Sequence, residues 1–130
     1  MRYLVCLIVG LVFGAIAASM VVNTVARRHA WPRGVMNVMQ HELSTARRAA
    51  HANQCAPAAA ESAHRHLTLL ATDIEAALLP DGAKDRVFTQ YAQGLERAIA
   101  DWDPAAACAA QTTALTRIAQ ACDDCHRDYR

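Results

Sequence analysis

The sequence predicts an all-α protein, an up-down-up-down four-helix bundle preceded by one N-terminal transmembrane helix. Three observations predict it. From Tyr3 to Val25 there is no Asp, Glu, Lys, Arg or His. The rest of the 130-residue chain is rich in Ala, poor in aromatics and free of Gly and Pro beyond Pro104, a composition that favours helix over sheet. Between clear breaks, its apolar residues recur three or four positions apart.

The first element follows from the apolar run, which covers the roughly 20 residues that a bilayer core requires. It divides the chain into residues 1–28, a membrane anchor or uncleaved signal, and residues 29–130, room for one small domain with one core. Arg2 and Ala15-Ile16-Ala17 resemble the basic start and cleavage site of a secretory signal. The run continues through Met20, Val21 and Val22, however, beyond the roughly 7–15 apolar residues of such a signal. A retained single-pass anchor is therefore expected, with a soluble form released by cleavage as the alternative. Basic residues at both ends (Arg2, then Arg27 and Arg28) leave the orientation open, and Cys6 reads as an apolar residue within the span. A net charge of +1 supplies no basic stripe, which excludes a nucleic-acid binder.

The soluble helices follow in order. Trp31-Pro32 allows a helix to begin or kink, with Val35, Met36, Met39, Leu43 and Ala46 on its apolar face and a break at Ala56-Pro57. A second helix carries Leu67, Leu70, Ile74, Ala77 and Leu78 and stops at Pro80-Asp81-Gly82. A third carries Val87, Tyr91, Leu95, Ala98 and Trp102. The fourth opens with Asp103-Pro104 as an acidic N-cap and first-turn proline, then shows Cys108, Leu115, Ile118, Cys122, Cys125 and Tyr129. Short connections make neighbouring helices antiparallel.

The chemistry lies in Cys122-Asp123-Asp124-Cys125-His126, the C-x-x-C-H pattern of c-type haem attachment. Positions i, i+3 and i+4 share one helix face, so both thiols and the imidazole address one ligand. The thiols add to the two haem vinyl groups and His126 becomes the proximal iron ligand. Three readings compete: a redox dithiol, which usually sits at a helix start beside a strand; zinc, which needs further ligands at matching spacing; and coincidence. Asp123 and Asp124 are expected to point outward, and His64 and His66 to be exposed. Arg47-Arg48 is read as a solvated patch that could also dock an acidic partner.

The segment Cys122–Arg130, C-D-D-C-H-R-D-Y-R, and the segment from Trp31 through Met36 to Leu43 resemble the cytochrome c prime family, the class II c-type cytochromes. The resemblance spans residues 31–130. Pro32 departs from it, standing where the family usually has arginine, and so does the short first loop with its extra cysteine. It implies a four-helix bundle with one haem c near the end of the last helix, and Arg130 as the basic residue near the proximal side. It also implies that Met36 faces the sixth coordination site of the iron. Bundle geometry agrees, since the start of the first helix and the end of the fourth lie at the same end. Met39 is the substitute ligand, His41 a further candidate, and both methionines can instead be plain core residues.

Two functions are carried forward from this reading. The first is a non-enzymatic electron carrier working with redox partner proteins at a bacterial inner membrane, its haem domain in the periplasm. The second is a five-coordinate haem protein that binds nitric oxide or carbon monoxide. A third reading is a haem-free helical membrane protein. Family members often pair through their first two helices, so a homodimer is also implied. The remaining soluble cysteines, Cys55 and Cys108, fall at the bundle end away from the haem. They either form a disulfide, in the oxidising compartment where haem is attached, or remain buried thiols.

Overall fold

A computed structural model describes residues 2–79 and 82–129; within the first helix, the side chains of residues 2, 4–7 and 25–29 lie outside the description. Arg130 and the Pro80-Asp81 part of the expected turn also lie outside it. Among the described residues there are four α-helices and no strand. They are α1 (Arg2–His51), α2 (Pro57–Leu78), α3 (Arg86–Ala100) and α4 (Cys108–Asp128). The chain separates into two compact units, Met1–Arg33 and Gly34–Arg130. Helix α1 contributes to both units, and Pro32 lies inside it. Pro32 therefore does not begin a helix, one of the two roles the sequence allowed it.

In the first unit the described apolar side chains are exposed around the helix, with Leu11 at 67 % and Phe13 at 71 %. Among the described residues no helix is long and apolar enough to cross a membrane.

The second unit is a helical bundle with one core. Val35, Met39, Leu43 and Ala50 of α1 join Leu67 and Ile74 of α2, Phe88, Leu95 and Ile99 of α3, and Leu115 and Ile118 of α4. Fully burying a large apolar side chain is worth about 1.5–3 kcal/mol. The deepest such positions are Trp102, Leu67, Ile99, Leu115 and Ile118. Most other buried positions on α2 are alanines, so this handful of larger side chains supplies most of the core.

Contacts between helix ends fix the topology. Near the start of α2, His64 Nε2 meets the Ile99 carbonyl at the end of α3, at 3.1 Å. At the other end, Tyr129 beyond α4 donates to Asp85, the N-cap of α3. Both pairs of neighbours are therefore antiparallel. Cys55, just beyond α1, is disulfide-bonded to Cys108 at the start of α4, with Cα atoms 5.7 Å apart and a sequence separation of 53. That Cα spacing is ordinary for a disulfide, and it sets α1 antiparallel to α4 within this unit.

Several element ends differ from the sequence expectation. Helix α1 stops at His51 rather than at Ala56-Pro57, because Asn53 takes a left-handed conformation (φ 57°). Asparagine adopts that conformation more readily than most residues. The Asn53 and Gln54 amides then turn back onto the carbonyls of Ala50 and Ala49, closing the helix end. Pro57 opens α2 at its first position, where the missing N–H costs nothing. Gly82 supplies the positive φ (72°) in the connection to α3. On α3 the buried face is Phe88, Ala92, Leu95 and Ile99, while Val87 is 49 % exposed. The helix ends at Ala100, and Trp102 packs into the core from the loop beyond it.

Asp103-Pro104 does not open α4. The Asp103 carboxylate instead accepts from the Ala105 amide at 2.8 Å, an Asx-type turn. Helix α4 begins at Cys108 after Ala107, which offers no side-chain cap. Gln111, inside the helix, ties the preceding loop to it. Buried to 3 % exposure, its side-chain amide donates to the carbonyls of Pro104 and Ala106 at 3.0 and 2.8 Å. The pairing satisfies a polar group that would otherwise be costly to bury.

Candidate functional site

The last two turns of α4 continue the stripe begun by Leu115 and Ile118. Their spacing brings Cys122, Cys125 and His126 to one cleft. Helix α1 contributes Met36, Met39, Gln40 and Leu43 to it. Leu67 and Ile74 of α2 complete the wall together with Tyr91, Ala92 and Leu95 of α3. The two thiols are free and half-buried, and His126 is exposed at the mouth. Asp123 and Asp124 point outward as expected, and Asp124 pairs with Arg127 at 3.3 Å. The cavity is small, about 40 Å³. A planar cofactor bound here would have to widen it.

The electrostatics of the thiols discriminate between readings. Burial pushes the Cys122 thiol up to about 11, and the neighbouring Asp123 and Cys125 add to the effect. Burial and then Asp128 raise Cys125 as well. A dithiol redox site needs the opposite, a thiolate favoured at neutral pH, and these cysteines sit at a helix end rather than a helix start. Among the described residues no three His, Cys, Asp or Glu side chains stand close enough together to hold a bare metal ion, and structural zinc takes four ligands. Two protonated thiols, an imidazole and a thioether across an apolar cleft fit the donor set of haem c.

Met36 is half-buried and Met39 is 5 % exposed in the core, and both line the cleft. His41 is exposed and takes no part in it. His64 is not exposed as expected. It is half-buried, hydrogen-bonded to the Ile99 carbonyl and edge-on to Trp102 at 5.5 Å. His66 is exposed and meets Glu42 at 3.0 Å. Arg48 turns back onto Ser44 and Thr45 of its own helix. Arg130 lies outside the described residues.

Sequence reasoning did not find the residues that hold the end of α4. The Tyr91 hydroxyl donates to Asp128 at 2.6 Å, and the Tyr129 hydroxyl donates to Asp85 at 2.7 Å. The Tyr129 ring stands edge-on to Phe88 at 5.2 Å and to Tyr91 at 6.2 Å. Its hydrogen bond to Asp85, aided by burial, pushes the Tyr129 hydroxyl up to about 12. Hydrogen bonding to Asp128 likewise raises Tyr91. Only the aromatic residues were visible in the sequence; nothing in it pairs them with these carboxylates.

No protein-family model, curated protein or solved structure matches the chain.

Proposed function

We propose that this chain is a membrane-anchored, single-haem c-type cytochrome of the cytochrome c prime type. It carries electrons on the periplasmic side of a bacterial inner membrane and is not an enzyme. The observation that carries this reading is the convergence of Cys122, Cys125 and His126 with Met36 and Met39 on one apolar cleft. Cys122 and Cys125 would hold the haem by thioether bonds, and His126 would be the proximal ligand. Met36, half-buried at the cleft and less committed to the core than Met39, would be the sixth ligand. Bound haem supplies one-electron chemistry at iron, and a His/Met ligand pair favours a higher potential. Leu43, Leu67, Leu95 and Ile118 exclude water from the interior side of the cleft, while exposed His126 leaves one side open to partners.

The anchor is part of the proposal. It is supported by the uncharged run from Tyr3 to Val25 and by the exposure of the described apolar side chains around that part of the helix. Tethering would keep the carrier concentrated near membrane-bound redox partners.

The visible spectrum of the purified full-length chain tests the reading. A six-coordinate low-spin haem that survives denaturation is expected, turning high-spin in Met36→Ala and staying low-spin in Met39→Leu. A high-spin wild-type spectrum would reject methionine ligation and favour the gas-binding alternative. A chain without covalent haem would reject the cytochrome reading altogether.

A further inference from the structure

The C-terminal turn that carries the haem motif is where a helix would ordinarily fray, yet it is fastened to α3 in a reciprocal way. A tyrosine of α3 (Tyr91) bonds a carboxylate of α4 (Asp128) at 2.6 Å. The tyrosine just past α4 (Tyr129) bonds the carboxylate that caps α3 (Asp85) at 2.7 Å. Asp85 is already committed, since one of its oxygens accepts from the Val87 and Phe88 amides at 2.9 and 3.1 Å. The oxygen facing Tyr129 is the other one, so the cap and the fastening use one side chain without competing. Between the two bonds, the rings of Phe88, Tyr129 and Tyr91 pack edge to face, an arrangement that adds to simple burial. His126 lies on the turn enclosed by these contacts, and Tyr91 lines the same cleft as His126.

We propose that Tyr91 and Tyr129 are positioning residues for His126, a two-bolt latch that holds the last turn of α4 at the cleft so that the imidazole meets the iron in one orientation. This rests on the cytochrome reading and deepens it. His126 itself is exposed, and its side chain has no hydrogen-bond partner among the described residues to orient it. Its placement therefore comes from the backbone of its turn. Charge-assisted bonds of this kind are stronger than neutral ones, and the two fasten the chain two and three residues beyond His126, at Asp128 on α4 and at Tyr129 just past it.

The test removes both hydroxyls and keeps both rings, as Tyr91→Phe with Tyr129→Phe, in the full-length haem-loaded protein. Hydrogen exchange reads the latch, and the visible spectrum with the reduction potential reads the imidazole. Amides 125–129 should lose protection on the order of tenfold, from two hydrogen bonds to ionised partners, while those near Leu115 and Ile118 keep theirs. The low-spin band should fall in part to high-spin, or the potential should shift. Because the rings stay, a general loss of folding is not expected, and the retained protection near Leu115 and Ile118 checks that the bundle is intact. Unchanged protection in the double variant would overturn the latch. Lost protection with an unchanged spectrum and potential would overturn the positioning role and leave a purely structural fastening. A wild-type chain without covalent haem would overturn the functional reading first, and the positioning role with it.

Discussion

Reducing the Cys55–Cys108 bond should destabilise the bundle sharply and, on the proposed cytochrome reading, leave the haem attached. The bond closes a segment with a sequence separation of 53, and on the chain-entropy account a loop of that length is worth about 4 kcal/mol. For a unit the size of Gly34–Arg130, each kcal/mol moves the melting midpoint by about 4–8 °C. The expected fall is therefore on the order of 20 °C. The assay is thermal unfolding of the haem-loaded chain in detergent, followed by circular dichroism, with and without a phosphine reductant. Thioether bonds to haem resist that reagent, so the visible spectrum at room temperature should not change. Cys55→Ser with Cys108→Ser should melt like the reduced protein and ignore the reductant. A reduced protein melting within about 3 °C of the oxidised one, less than 1 kcal/mol on this scale, would refute the argument that this bond restrains the unfolded chain.

Other outcomes follow from individual side chains. Cys122→Ala or Cys125→Ala should weaken covalent haem attachment and the double substitution should abolish it, as read by a haem stain on a denaturing gel; a double variant that still stains would sink the assignment. Leu115→Ala, at a fully buried position, should cost about 2–5 kcal/mol in denaturant unfolding, and a cost below 1 kcal/mol would mean that the core is not where the helices place it. The Asp85 carboxyl is held below its usual 3.8 by the Phe88 amide first and the Tyr129 hydroxyl second. Its contribution is therefore present above the unfolded value and is lost as pH falls through the lower folded one. Asp85→Asn should accordingly flatten the stability profile below about pH 4, and an acid limb as steep as the wild type's would contradict the assignment.

Much of the bundle was legible because burial on a helix leaves a periodic trace. Leu67 and Ile74 on α2, and Leu115 and Ile118 on α4, occupy the faces their spacing implies. The errors fall where a longer-range contact decides. On α3, Val87 and Phe88 are adjacent apolar residues, and periodicity alone cannot say which points inward; carrying the helix through to Trp102 favoured the wrong one. Trp102 is buried from a loop, and its burial draws His64 inward with it, which no local pattern at His64 records. Asp103-Pro104 has the composition of a helix start and forms a turn instead, because Gln111 secures the loop from the far side. Local signals failed most plainly at the carboxylates around the haem motif: Asp85 and Asp128 lie far apart in sequence from the tyrosines they accept from, and only the antiparallel packing of α3 on α4 brings them together.

The buried amide of Gln111 bears on the haem motif without touching it. An α-helix advances 1.5 Å and turns about 100° for each residue, so α4 behaves like a screw whose thread carries Cys122, Cys125 and His126 about three to four turns beyond Gln111. Slippage by a single residue at the start of that screw would put Asp123, His126 and Arg127 where Cys122, Cys125 and His126 now stand, taking both thiols away from the cleft. By gripping the Pro104 and Ala106 carbonyls, Gln111 sets the zero of the thread. A residue inserted between Gln111 and Cys122 would misdirect the motif while leaving every member of it present.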